Sequence, residues 1–168
     1  MLAAADLAFV AEIESLGTRD MPVEDFFAEV VTRIRAHRPA WHWVGVYLLV
    51  GDTLRLGPYV GAPTEHTSIA VGVGVCGTAV ARDANIVVDD VRTLDNYLAC
   101  SLGTRSELVV LIRDQGEVVG QFDVDSDNVA EFGAEDVQFL EQLASTTAAR
   151  ARALREGMSG QSVILDRE

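Results

Sequence analysis

Two cysteines and three carboxylates in this chain have the types and spacing to do chemistry on a small ligand. Cys100 lies in Asn96-Tyr97-Leu98-Ala99-Cys100-Ser101, a stretch without sustained periodicity. A thiol there gains little from burial and is a candidate nucleophile, although an incidental loop cysteine would read the same way. Cys76, in Gly74-Val75-Cys76-Gly77-Thr78, comes just before a short helical run. Amides at a helix N-terminus favour a thiolate, while a small apolar residue packed beneath the loop is the alternative. Two cysteines make neither the disulfide frame of a small secreted domain nor the paired spacing of a zinc site.

Glu107 stands at the start of one apolar run, and Asp123 and Asp125 at the end of the next. If the runs are the two strands of a hairpin, these ends are neighbours and three carboxylates converge. Asp123 and Asp125, two apart on a strand, share a face, and their repulsion raises at least one pKa unless a cation or donor compensates. An all-oxygen set suits only a hard cation such as magnesium or calcium, and no metal is expected. A ligand ammonium would pair with the carboxylates, and a sulfoxide oxygen would accept a hydrogen bond from one that is protonated. Trp43 and Tyr47, four apart on a strand, also share a face and could wall off a methyl or thioether group, or could simply be core.

These residues must be positioned by the elements around them. Apolar residues at helical spacing mark a first helix through Phe9, Ile13 and Leu16, ending at Gly17, and a second through Phe26, Val30 and Ile34, bracketed by Pro22 and Pro39. From Trp41 the period changes to that of strands. Residues 43–50 and 53–59 form a hairpin across Gly51-Asp52, and 107–113 and 117–124 form another across Asp114-Gln115-Gly116. Between them come a strand near 67–71, a helix over 78–82, a strand at 86–88 and a long loop over 89–105. A last helix starts after Gly133, with Arg150, Arg152 and Arg155 near its end. This order predicts an α+β domain with a largely antiparallel six-stranded sheet, helices on one face and ligand-binding loops on the other. The expected boundaries are one domain over 1–157, with N-terminal helices over 1–38 and a core over 41–155, then a tail over 158–168.

The net charge of −13, with all 13 basic residues arginine, argues against nucleic acid as a partner. No window approaches a membrane span, so the expectation is a soluble, unsecreted chain.

The segments Trp43-Val44-Gly45-Val46-Tyr47-Leu48-Leu49, Gly72-Val73-Gly74-Val75-Cys76-Gly77-Thr78-Ala79-Val80-Ala81, Ser106-Glu107-Leu108-Val109 and Asp123-Val124-Asp125-Ser126 resemble those of the free methionine-R-sulfoxide reductases, enzymes of the GAF fold. The resemblance runs from about Trp43 to Leu143. It implies that Cys100 is the cysteine that attacks the sulfoxide, and that Glu107, Asp123, Asp125, Trp43 and Tyr47 line the substrate pocket. It further implies Cys76 as the thiol that resolves a Cys100 sulfenic acid, no bound cofactor, thioredoxin as external reductant, and a cytoplasmic homodimer. Many members carry a further cysteine ten positions before the one matching Cys76, where this chain has His66. The alternative from another class is a non-catalytic GAF sensor that binds a nucleotide or metabolite in the same cavity.

Overall fold

The computed structural model describes residues 1–95, 97 and 103–165. Helices α1 (Ala4–Leu16) and α2 (Val23–His37) lead into a hairpin of β1 (Trp41–Val50) and β2 (Thr53–Val60). Then follow β3 (Ser68–Ala70), α3 (Gly74–Arg82), β4 (Ile86–Val88), a 3-10 turn at Val91–Thr93, the hairpin of β5 (Ser106–Asp114) and β6 (Glu117–Ser126), and α4 (Ala134–Leu165). The strands form one sheet in the order β3-β2-β1-β6-β5-β4, antiparallel at every pairing. The expected α+β architecture is thus the observed one. Both hairpins follow from their turns: Gly51 has a φ of 63°, and Gln115 and Gly116 have φ of 53° and 81°. Two consecutive left-handed residues match the right-handed twist of the strands they join.

The two faces of the sheet carry different layers. On one, Val44, Val46 and Leu48 of β1, Leu108, Val110 and Ile112 of β5, and Phe122 and Val124 of β6 pack against Ile13, Phe27, Ile34, Phe139 and Leu143 of α1, α2 and α4. On the other, Trp43, Tyr47, Val109 and Leu111 pack with Val75, Cys76 and Ala79 of α3. The helices are therefore not confined to one face, since α3 joins the loops on the second. Trp41 and Trp43 are two apart yet belong to opposite layers, because the pairing with β6 steps from Trp41 with Ser126 to Trp43 with Asp125, a bulge at His42.

Two local expectations are corrected. Helix α3 begins at Gly74 rather than Thr78, so Cys76 occupies its first turn instead of preceding it. This early start is possible because Gly77 lacks a side chain: a Cβ there would lie 2.4 Å from the Ala70 carbonyl oxygen. Helix α4 does not end near Gly157 but continues to Leu165. Its arginines serve another purpose than capping: Arg152 pairs with Asp114 and Glu117, and Arg155 with Glu117, which fastens the helix to the tip of the β5–β6 hairpin. Arg55 of β2 donates to the Met158 carbonyl at 3.3 Å and holds the helix beyond Gly157. Among the described residues no helix is long and apolar enough to cross a membrane.

The helical layer contains one buried acid, Asp6. Arg38 donates to both of its carboxylate oxygens at 2.9 Å, and His37 lies 2.7 Å away. Hydrogen bonding by Arg38 holds the Asp6 carboxyl below its ordinary range, with His37 adding to the effect and burial opposing it. A depressed carboxylate contributes stability above its unfolded-state pKa that is lost as pH falls through its folded value. Asp6→Asn is expected to cost about 2 kcal/mol at neutral pH, the scale of hydrogen bonds to charged groups. The loss shrinks below about pH 4, so denaturant titrations of the two proteins at pH 7 and pH 3 check it.

Candidate functional site

The second face of the sheet is where polar groups enter the interior. Register sets Trp43, Asp125 and Glu107 side by side across β1, β6 and β5, with Gly45, Asp123 and Val109 in the next row and Tyr47, Gln121 and Leu111 in the row beyond. Strand alternation points all nine positions to the same side. Glu107, Asp123 and Asp125 therefore converge as the hairpin predicted, and all three are almost fully buried, at 2%, 0% and 0% exposure.

Trp43 and Tyr47 also share this face, both fully buried in its apolar layer. A Cβ on Gly45 would fall 2.4 Å from the Trp43 ring, so that ring lies over the glycine. It stacks on Tyr59 at 5.4 Å and faces Tyr47 at 6.5 Å between ring centres. The polar tips fix the loop above: Trp43 Nε1 donates to the Ala62 carbonyl at 3.1 Å, and the Tyr47 hydroxyl to the His66 carbonyl at 2.8 Å. The main chain at His66 is thus tied to the aromatic pair.

Cys76 reaches the carboxylates from α3. Its thiol donates to Glu107 Oε1 over 3.9 Å. The sulfur and one oxygen each of Glu107 and Asp123 lie within 4.8 Å of one another. The carboxylates alone would suit a hard cation, and with this sulfur the set would suit a zinc-class ion better than magnesium.

Burial is the first cause that pushes the Glu107 carboxyl well above its ordinary pKa, followed by the charges of Asp123 and Asp125. Asp125 is raised well above its ordinary value as well, by burial and then by Asp123, with the Thr104 hydrogen bond acting against them. Glu107 Oε2 and Asp125 Oδ1 have no hydrogen-bond partner among the described residues. Burial and like charge therefore favour the protonated form of these carboxyls, the form that can donate a proton. Raised carboxyls favour the native state below their unfolded pKa values, and that contribution is lost as pH rises through the folded ones. The melting temperature of the ligand-free protein should accordingly fall as pH rises above the ordinary carboxyl range of about 4, and a Glu107→Gln variant should show a shallower fall in the same scans.

Three polar residues at this site, Gln121 and Thr104 buried and His42 half-buried, were not anticipated from the sequence. Gln121 is fully buried in the third row, and neither its Nε2 nor its Oε1 has a partner among the described residues. Thr104 donates to Asp125 Oδ2 at 3.3 Å, and its hydroxyl lies 3.4 Å from His42 Nε2. Strand alternation next to Asp123 could have singled out Gln121, but His42 enters only through the bulge and Thr104 only through the return of the long loop.

Cys100 lies outside the described residues. On either side of it, the Val91 amide donates to the Arg105 carbonyl at 2.7 Å, and the Arg105 amide to the Ser126 carbonyl at 2.8 Å. The loop thus departs and returns at the strand ends that carry Glu107 and Asp125.

Comparison with known proteins agrees with this geometry. Residues 22–150 match the GAF domain family. The chain is 42% identical over 102 residues to the free methionine-R-sulfoxide reductase of Escherichia coli, a match spanning 61% of each protein. Among solved structures, the free methionine-R-sulfoxide reductase of Neisseria meningitidis in complex with its substrate superposes with a TM-score of 0.80 at 32% identity, covering 94% of this chain and 97% of that one. The type II enzyme of Thermoplasma acidophilum superposes with a TM-score of 0.74 at 34% identity, covering 79% and 96%. The chain belongs to the GAF domain family, among its free methionine-R-sulfoxide reductases.

Proposed function

We propose that this protein reduces free L-methionine (R)-S-oxide to L-methionine with Cys100 as the attacking thiol. The observation that carries the reading is the buried meeting of Glu107, Asp123 and Asp125 with Cys76 beside the Trp43 and Tyr47 wall. A free amino-acid sulfoxide brings a group for each part: an ammonium for an ionised carboxylate, a sulfoxide oxygen for a protonated one, and a methyl for the aromatic wall. The enclosure favours the free amino acid over a residue within a protein chain. The names of the relatives point to the same substrate.

In the first step the Cys100 thiolate attacks the sulfoxide sulfur while Glu107 or Asp125 gives a proton to the departing oxygen. The S–O bond breaks, methionine leaves, and Cys100 is oxidised to a sulfenic acid that carries the oxygen and the proton. The Cys76 thiol then attacks this sulfur, forming the Cys76–Cys100 disulfide and releasing water. A thioredoxin dithiol restores both thiols by exchange and is itself oxidised. A resolving role for Cys76 is supported by its position in the first turn of α3, against Glu107. Cys100 is only four residues before Thr104, and chain connectivity keeps their Cα atoms within about 14 Å.

A non-catalytic sensor would gain nothing from the Cys76 thiol held against a carboxylic-acid cluster. The test is turnover of free L-methionine (R)-S-oxide by the reduced protein with a thioredoxin recycling system. Production of methionine is expected, and its absence with fully reduced thiols would overturn the reading.

A further inference from the structure

We infer that His42 and Thr104 form a proton relay that reloads Asp125 from solvent after each reduction. The inference rests on the reductase reading and adds two residues to it. Each first step consumes a proton: thiolate, carboxylic acid and sulfoxide become sulfenic acid, methionine and carboxylate. A buried Asp125 left ionised among Glu107 and Asp123 must be reprotonated before it can act again, and it is fully enclosed.

Among the described residues, a line of polar groups leads outward from it. Asp125 Oδ2 accepts from the Thr104 hydroxyl at 3.3 Å. The same hydroxyl lies 3.4 Å from His42 Nε2, and His42 Nδ1 lies 3.1 Å from Asp127 Oδ1. Thr104 is 4% exposed, the His42 side chain 19% and the Asp127 side chain 66%, so the line runs from interior to solvent. Its polarity is chemically consistent. With Thr104 donating to Asp125, the Thr104 oxygen is left to accept from His42 Nε2–H, and a protonated His42 faces the Asp127 carboxylate with Nδ1 as an ion pair. Transfer then passes the imidazolium proton to the Thr104 oxygen as the hydroxyl proton moves to Asp125. His42 becomes neutral with its remaining proton on Nδ1, and a turn of the ring, whose side chain is 19% exposed, brings the vacated nitrogen to water, where it takes up a proton.

The environment keeps the imidazole ready to give up its proton. Burial lowers the His42 pKa first, Arg35 adds to the lowering, and Asp127 opposes both. The bulge at His42 makes the line possible, since regular alternation would not set Trp41 and Trp43 on opposite faces with a histidine between them at the sheet margin. Thr104 and His42 act through Asp125 and are positioning residues.

The test compares wild type, Thr104→Val, Thr104→Ser and His42→Gln under saturating substrate and reductant. With the relay, Thr104→Val and His42→Gln lower kcat on the order of tenfold, a part of the 10²- to 10⁴-fold that a general acid contributes. KM stays within twofold, and the alkaline limb of the kcat–pH profile moves to lower pH. Thr104→Ser, which keeps the hydroxyl, restores both kcat and profile. An unchanged profile in Thr104→Val with an active wild type overturns the relay and leaves the reductase reading intact. A second measurement stands apart from turnover: NMR titration of the His42 imidazole. Loss of its Nε2 acceptor in Thr104→Val lowers the His42 pKa, and an unmoved titration overturns the relay even if the wild type proves inactive.

Discussion

Cys100→Ser should abolish turnover of free L-methionine (R)-S-oxide, by at least about a thousandfold, since a hydroxyl cannot replace the attacking thiolate and loss of a nucleophile removes the whole covalent route. Cys76→Ser should behave differently: the first oxygen transfer still occurs, and recycling then stalls for want of an internal thiol. Thiol titration before and after one equivalent of substrate separates the cases. Wild type loses two thiols, Cys76→Ser loses one, and Cys100→Ser loses none. Full activity in Cys100→Ser would remove the mechanism. Loss of a single thiol in wild type would remove Cys76 as resolving partner and shift resolution to an external thiol.

Asp125→Asn and Glu107→Gln should each cut kcat by about 10²- to 10⁴-fold, the worth of a positioned general acid, because an amide retains the shape but has no acidic proton. Their stabilities should move in the opposite direction. Burial and like charge hold these carboxyls well above their ordinary pKa values, so removing either relieves the pocket of an acid that is costly to ionise. Near pH 8 both variants should melt above wild type while turning over far more slowly. Steady-state kinetics beside thermal scans would show it, and joint loss of activity and stability would mean that the carboxyls support the fold rather than the chemistry.

Much of this arrangement is legible in the sequence where local chemistry decides. Gly51-Asp52 and Gln115-Gly116 fixed both hairpins, and the second hairpin alone was enough to bring Glu107 to Asp125, which are register partners. The signal failed where tertiary contact decided. The start of α3 depends on Gly77 fitting against the Ala70 carbonyl, the course of α4 past Gly157 on Arg55 of a distant strand, and the partner of Cys76 on a helix crossing three strands. Gln121, Thr104 and His42 are ordinary polar residues by sequence. Only the packing around them reveals that they are enclosed.

The bulge at His42 has a consequence for how this protein can change. One irregular residue lets β1 place Trp41 among the helices and Trp43 in the pocket, so a single strand serves two interiors that share no side chain. The apolar layer beneath the helices supplies folding energy, and the layer above it can carry three carboxyls that folding alone would not select. Substitutions in the upper layer can therefore retune ligand chemistry while the lower one keeps the chain folded, which leaves the pocket open to evolutionary drift that the scaffold does not feel.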